Sequence, residues 1–529
     1  MAAKPLSSET LQSCLDAVKR HGSIHAAARA MGVPRPTMQH RFLEARRRHL
    51  EPSSGAACKL DAPVFKRTLK RTTRRAVITA AQNATPVHAG FLRALEGYCN
   101  ANNAELIVIP FSYKNQTSIW TKEQQETQWW DAKLVPYLCN ERKNLNPNLV
   151  MVGDTKIQPT DKLPLSGLQS LTRGESAVFP HTRLHLQVVP VTQGAYPKIM
   201  STTGAVTQEN YTATKAGKIA DFHHVYGAAL VEINGKTFHL RQINAKKDGS
   251  FIEWGREYLP NGRSRTAPRA QVLHTGDTHV DSICPVVERA TYGPDGIVEQ
   301  LDPEWLVFND LLDGETINPH SAGNWMCAIE KILKGRTDAR GEVERACAFV
   351  ERVTPAGSKA LIVPSNHNDF LTRWLVNTDP RTNPANLEFW CDSAKMARHL
   401  IETKKAQAER IEIFAYWAER LLPKDGRFKV LRRDDSHMIG GVEQGLHGDC
   451  GPNGARGSLR NLSRIGVKAN IDHSHTPGIL DGTYQSGTST PRHAGYTKGP
   501  SSWLNTHTVQ YANGKRTLVT LIEGEFRLG

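Results

Sequence analysis

The sequence predicts an α/β protein in three parts: a small all-α helix-turn-helix over residues 1–50, a mixed α/β domain over 76–265, and a larger α/β domain over 266–529. Three observations carry that prediction. Basic residues crowd the amino end. Short apolar, β-branched runs bounded by Gly, Pro, Asn or Asp recur from residue 76 onward. After residue 270 such runs are followed, in order, by motifs of Asp, Asn and His.

The charge is localised. The chain carries a net +15 over 529 residues, yet residues 1–75 hold sixteen Lys or Arg against five acids, so the other 454 residues contribute only +4. A basic module of this kind suits nucleic acid, because neutralising phosphates releases condensed counterions. The nine cysteines are scattered and form no Cys-x-x-Cys pair, which argues against a disulfide framework and a structural zinc site. No cleavable signal and no bilayer-length apolar run is present, so the expected setting is cytoplasmic, without membrane association.

Within the basic module, Gly22 to Leu43 has helix-turn-helix spacing. Ser23 is suited to cap the second helix, the alanines at 26–28 allow close crossing, and Gly32 can supply a left-handed turn. Val33, Met38 and Phe42 would face inward from the third helix. Arg35, Thr37, Gln39, His40 and Arg41 would face DNA, followed by Arg46, Arg47 and Arg48. This stretch, about 7–48, resembles the factor-for-inversion type of helix-turn-helix; the competing reading is an alanine-rich hairpin with a solvated basic face. Residues 51–75 read as a basic linker, opening on Pro52-Ser53-Ser54-Gly55 and closing on the run Lys66 to Arg75.

In the middle region, Ala76–Ala80 reads as a strand, Val87–Tyr98 as a helix and Glu105–Ile109 as a strand, a β-α-β start. Leu184–Val191 and Ala228–Ile233 read as further strands. Asp221, His223 and His224 lack a matching further ligand and read as a packed or hydrogen-bonded group. The sequence assigns this region no role.

The last part carries the chemistry. Gln271–Thr275, Trp305–Phe308, Ala360–Val363 and Ile465–Ile471 read as strands, and each runs into polar residues: Asp277 and His279; Asp310; Asn366 and His367; His473 and His475. Loops beyond strand C-termini are the usual place for ligands in α/β folds. A lone histidine, His447, lies between the third and last motifs, with His437 as the competing choice. Two divalent cations roughly 3.5–4 Å apart clamp a phosphate and activate water, and they need a shared carboxylate with mixed nitrogen and oxygen donors around it. Imidazole with carboxylate or amide oxygen suits Mn, Fe or Zn, whereas Mg prefers nearly all oxygen. Near the C-terminus, Thr506–Tyr511 and Thr517–Ile522 flank Asn513-Gly514, a hairpin signal that would add edge strands.

The ordered set resembles the calcineurin-like metallophosphoesterase superfamily over about residues 270–529: D-x-H, GD-x-x-D, GNH with an acid, a lone histidine, then GH-x-H. The resemblance implies a metallophosphoesterase β-sandwich flanked by helices. One metal would take Asp277, His279, Asp310 and His475; the second would share Asp310 and add Asn366, His447 and His473. His367 would act on the scissile phosphate or leaving oxygen. The ions would most readily be Mn2+, with Mg2+, Fe2+ or Zn2+ as alternatives. Three family glycines are replaced, by Asn309, Ser365 and Asp472, and the acid after His367 is displaced by Asn368 to Asp369.

Together with the basic module, the resemblance points to the nuclease branch, SbcD-like enzymes and phage-encoded early DNases that degrade host DNA. It implies a metal-dependent deoxyribonuclease acting in the host cytoplasm and assembling as a homo-oligomer. The competing class is a DNA-binding regulator or architectural protein whose phosphoesterase domain is inactive or acts on a small molecule.

Overall fold

The computed structural model describes residues 8–21, 24–41, 58–59, 74–111, 129–318, 321, 323–403, 405–493 and 497–528. Two sheets position the motifs. In the first, six strands lie in the order Phe428–Val430, Lys359–Ile362, Trp305–Phe308, Val272–His274, Thr506–Gln510, Arg516–Thr520. The first four run parallel to one another, and the C-terminal hairpin adds antiparallel at the edge. Gly514 takes a left-handed φ of 73° in the hairpin turn, as Asn-Gly chemistry requires.

Parallel neighbours need crossovers, and helices supply them. Pro285–Tyr292 starts on a proline whose missing N–H costs nothing at a first turn. Ala339–Val353 is capped by the Asp338 carboxylate, which accepts from the Gly341 N–H at 3.0 Å. Leu273, Leu306, Phe308, Ala360 and Ile362 point from one face of the sheet into a core with these helices, including Val343, Ala346 and Val350. Val272, Val307 and Leu361 alternate to the other face, as a period of two demands.

The second sheet has ten strands, in the order Met438–Ile439, Val442–Glu443, Lys468–Ile471, Thr483–Gln485, Gly478–Leu480, Leu186–Val189, Lys198–Thr202, Ser176–Phe179, Leu149–Val152, Arg142–Asn146. It crosses residue 265, so the division expected there is not a division of the sheets. Strands from 142–202 continue the sheet through the pairing of Leu186 with Ile479. They are short and largely buried, and their partners lie nearly three hundred residues away, which local pattern cannot show. A four-stranded sheet, Thr237–Asn244, Gly227–Asn234, Arg75–Gln82 and Glu105–Phe111, packs Ile78, Ile107 and Val231 against the buried face of this upstream half.

At the amino end the helices Ser8–His21 and Ile24–Ala30 and a helix over 35–41 enclose Cys14, Ala17, Ala27, Ala28 and Met38, with Val33 packed against them. Gly32 has φ 62° at the turn, in open space. Arg35, Gln39 and His40 are exposed, while Thr37 and Arg41 are half-buried. Ser23, Phe42, Arg46, Arg47 and Arg48 lie outside the described residues. Part of the expected linker is structured: Cys58–Lys59 pairs antiparallel with Trp129–Trp130, and Arg75 already belongs to a strand. Among the described residues no helix is long and apolar enough to cross a membrane.

Candidate metal centre

Both large sheets deliver strand C-termini to one place. From the first sheet come the loops after His274, Phe308 and Ile362; from the second come those after Glu443 and Ile471. The loops are stitched together through their backbones. The His279 N–H donates to the Asp310 carbonyl at 2.7 Å, the Thr278 N–H to the Asn309 carbonyl at 3.0 Å, and the Asp472 N–H to the His447 carbonyl at 2.6 Å.

The seven side chains form two adjoining groups, and a third set of close donor atoms, His279, Asp313 and His367, stands beside them. In one, His279, Asp310 and His475 have donor atoms within 4.8 Å of one another; in the other, Asp277, Asp310 and His447 do. Asp277 Oδ2 lies 3.2 Å from His475 Nε2, and His279 Nε2 faces His475 Nε2 at 3.2 Å. Asp310 Oδ2 is 3.2 Å from His447 Nε2 and 3.8 Å from His279 Nε2, so one carboxylate reaches both groups. Asn366 Oδ1 lies 3.0 Å from His447 Nε2 and 2.9 Å from His473 Nδ1. All seven residues named as ligands from sequence therefore converge. His437 does not: its Nδ1 is 3.1 Å from Lys429 Nζ and its ring packs on Trp305.

The backbone is strained where they meet. His279, Asp310, His473 and His475 have φ of 43°, 41°, 74° and 57°. The left-handed region costs a residue with a Cβ roughly 1–2 kcal/mol, and such outliers gather at functional sites. The replaced glycines are not the strained positions, since Asn309, Ser365 and Asp472 keep negative φ.

The donor chemistry fits cations. Both Asp277 carboxylate oxygens and the Nδ1 atoms of His447 and His475 are buried without a hydrogen-bond partner. Burial drives the Asp277 carboxyl well above the usual carboxylate range, and Asp472 and Asp310 add to the rise against the opposing effect of His447. Burial acts against ionisation of Asp310 too, but His447 and His367 outweigh it and hold that carboxyl well below its usual range. Burial opposes a proton on His447, yet Asp310 and Asp277 raise it to about 10. Ligands bind metal without their protons, so occupation of these donors would release the proton that Asp310 and Asp277 favour on His447. Burial, with neighbouring imidazoles adding to it, lowers His279 to about 3 and His473 and His475 to about 4, which leaves them neutral and able to ligate.

His367 stands beside the groups, its ring 4.5 Å from that of His279 and 4.7 Å from that of Phe370. Its Nδ1–H donates to the Asp313 carbonyl at 2.8 Å, which leaves Nε2 for substrate. The displaced acid takes another role: Asp369 accepts from Arg433 at 2.9 Å, and the same guanidinium donates to Asp449 at 2.8 Å, tying the His367 loop to the His447 loop. Asn366, His367 and Phe370 open onto a cavity of about 1000 Å³ that Lys331, Lys334 and His493 also line.

Sequence reasoning missed several supporting residues. Asp313 falls on the second aspartate of the GD-x-x-D pattern but was given no role, and Asp449 and Arg433 carried no local signal. His507 is fully buried; its Nδ1 accepts the Gly276 N–H at 2.9 Å and its Nε2 lies 2.9 Å from Thr291 Oγ1, which anchors the loop of Asp277. It sat in a strand with no motif to mark it. Asp221, His223 and His224 gather no metal group, since His224 bonds to the Tyr211 hydroxyl and the Thr207 carbonyl.

His447 and His437 separate cleanly by experiment. Substituting His447 with Ala should weaken divalent-metal binding, while His437→Ala should leave it unchanged. Calorimetric titration of Mn2+ into each variant checks this, and the reverse pattern would move the ligand role to His437.

No protein-family profile matches the chain. It is 28% identical to Protein A1 of Escherichia phage T5 over 464 residues, an alignment covering 86% of this chain and 83% of that protein. Among solved structures, Vps29 of Chaetomium thermophilum aligns with 37% of this chain and 100% of its own, at 8% identity and a TM-score of 0.19. At that score the superposition says nothing about this chain's chemistry.

Proposed function

We propose that the chain is a deoxyribonuclease that hydrolyses phosphodiester bonds at a centre of two divalent cations, with Mn2+ best matched to its imidazole, carboxylate and amide donors. The observation that carries this reading is the convergence of seven donor side chains from five loops of two sheets, four of them on left-handed backbone. Asp277, His279, Asp310 and His475 would hold one ion, and Asp310, Asn366, His447 and His473 the other. When bound, the pair would supply Lewis-acid clamping of the phosphate and an activated water.

The chain's own groups do the rest. Asp313 fixes the His367 ring by its carbonyl, so Nε2 is the atom that holds or gives a proton to the leaving oxygen. Arg433 keeps the loops carrying His367 and His447 in register. The cavity beyond His367 is lined by Phe370, Thr490 and Pro491, by Lys331 and Lys334, and by Asp313, Glu315 and Glu330, with Lys334 ion-paired to both glutamates. At the amino end, the exposed Arg35, Gln39 and His40 share one helix and would read or grip DNA. Similarity to a phage protein is in keeping with a phage-encoded protein.

The test uses end-labelled linear DNA and covalently closed circular DNA with Mn2+, Mg2+ or EDTA. We expect metal-dependent cleavage that EDTA abolishes, and nicking of the circle would identify endonuclease action. No cleavage with any metal would return the regulator reading. Deleting residues 1–50 removes nine of the sixteen basic groups in residues 1–75 and none of the seven proposed ligands. Hydrolysis of bis-p-nitrophenyl phosphate should survive, while affinity for long DNA falls. Its log–log salt slope should become shallower by about 0.9 for each lost phosphate contact. An unchanged slope would move the DNA contact elsewhere.

A further inference from the structure

We propose that His274, fully buried beneath the metal centre, is a positioning residue that sets the relative placement of the two metal positions; the inference rests on the metal-centre reading above. Its Nε2 lies 3.0 Å from Asp472 Oδ2 and 3.0 Å from Asn309 Nδ2, and its Nδ1 lies 3.1 Å from Gln444 Oε1. Each contact reaches a different ligand loop. Asn309 immediately precedes Asp310, Asp472 immediately precedes His473, Gln444 stands three residues before His447, and His274 itself stands three before Asp277. One imidazole is thereby joined to four of the five loops that carry donors.

The connection spans the two sheets. His274 ends and Asn309 follows a strand of the six-stranded sheet, whereas Gln444 and Asp472 follow strands of the ten-stranded one. Behind the imidazole the polar chain continues. Gln444 Oε1 also accepts from Asn470 Nδ2 at 3.0 Å, Gln444 Nε2 donates to Gln510 Oε1 at 3.1 Å, and Asn470 Oδ1 accepts from Arg516 Nη1 at 2.8 Å. All of these side chains are buried, where losing a polar contact is costly, and the Asn309 and Asp472 Oδ1 atoms already lie buried without a hydrogen-bond partner.

The placement explains the two glycine replacements. At positions 309 and 472 the family pattern has glycine, and here both side chains turn to the same ring. The residues immediately after them, Asp310 and His473, carry the left-handed backbone. Anchoring the preceding side chain holds each strained donor in place, and outer contacts of this kind orient metal ligands generally.

The variant His274→Val removes the ring and leaves Asp472 and Asn309 buried without it. We expect the second Mn2+ to bind about ten- to a hundredfold more weakly, and the electron paramagnetic resonance signal of a coupled Mn pair to give way to that of isolated ions. His274→Gln, which can still bridge Asp472 and Asn309, should restore part of the coupled signal. If His274→Val fails to fold, the triple variant His274→Val, Asn309→Gly, Asp472→Gly removes the stranded polar groups; it should melt near the wild-type temperature and still lack the coupled signal. A coupled pair with wild-type affinity in His274→Val, or in the triple variant where the single one does not fold, overturns the proposal. Failure of the wild-type protein to bind a second ion would instead overturn the metal-centre reading, and this inference with it.

Discussion

Asp310→Ala should abolish hydrolysis and strip both ions from the protein. The carboxylate lies within reach of both donor sets, with Oδ2 3.2 Å from His447 Nε2 and 3.8 Å from His279 Nε2. Its removal also deprives His447 of a principal source of its raised proton affinity. Losing both cations removes several kcal/mol of charge stabilisation, a fall in turnover of roughly 10³-fold or more. Elemental analysis of the purified variant checks the metal content and the DNA assay checks the rate. Two tightly held ions in the variant would show that Asp310 is no bridge.

His367→Asn should give the opposite dissociation of metal from rate. The ring lies beside the donor groups and is held by the Asp313 carbonyl, so its loss leaves the seven donors in place. Turnover should fall by roughly 10²–10⁴, the usual range for losing a positioned acid or base, with metal content near that of the parent. Metal loss on substitution would make His367 a ligand. The two variants together test whether the residues proposed to hold ions are distinct from the residue proposed to handle the proton.

Much of this centre was legible before any coordinates. The donors are chemically conspicuous, and four of the five donor loops follow runs whose apolar, β-branched character predicts strands. Trp305–Phe308 forms the strand its composition predicts, and the Asn513-Gly514 turn closes the hairpin it signals. The basic amino end and its helical hairpin core, with Met38 buried against Ala27 and Ala28, were equally readable, because capping, crossing and turn chemistry are local.

The remainder depended on contacts between distant residues. Residue order predicted the types of donor at the site, the strand ends that carry them and the left-handed turn at Gly32. The tertiary structure decided that His447 joins the donors while His437 packs on Trp305, that Asp369 binds Arg433 and leaves His367 to a main-chain carbonyl, and that one sheet unites strands on both sides of residue 265. It also decided that Asn309 and Asp472, which read as departures from a pattern, meet at His274. The physical reason is common to all four. Periodicity and turn chemistry act over a few neighbours along the chain, whereas these pairings join residues tens to hundreds of positions apart through the register and packing of sheets that no local segment encodes alone.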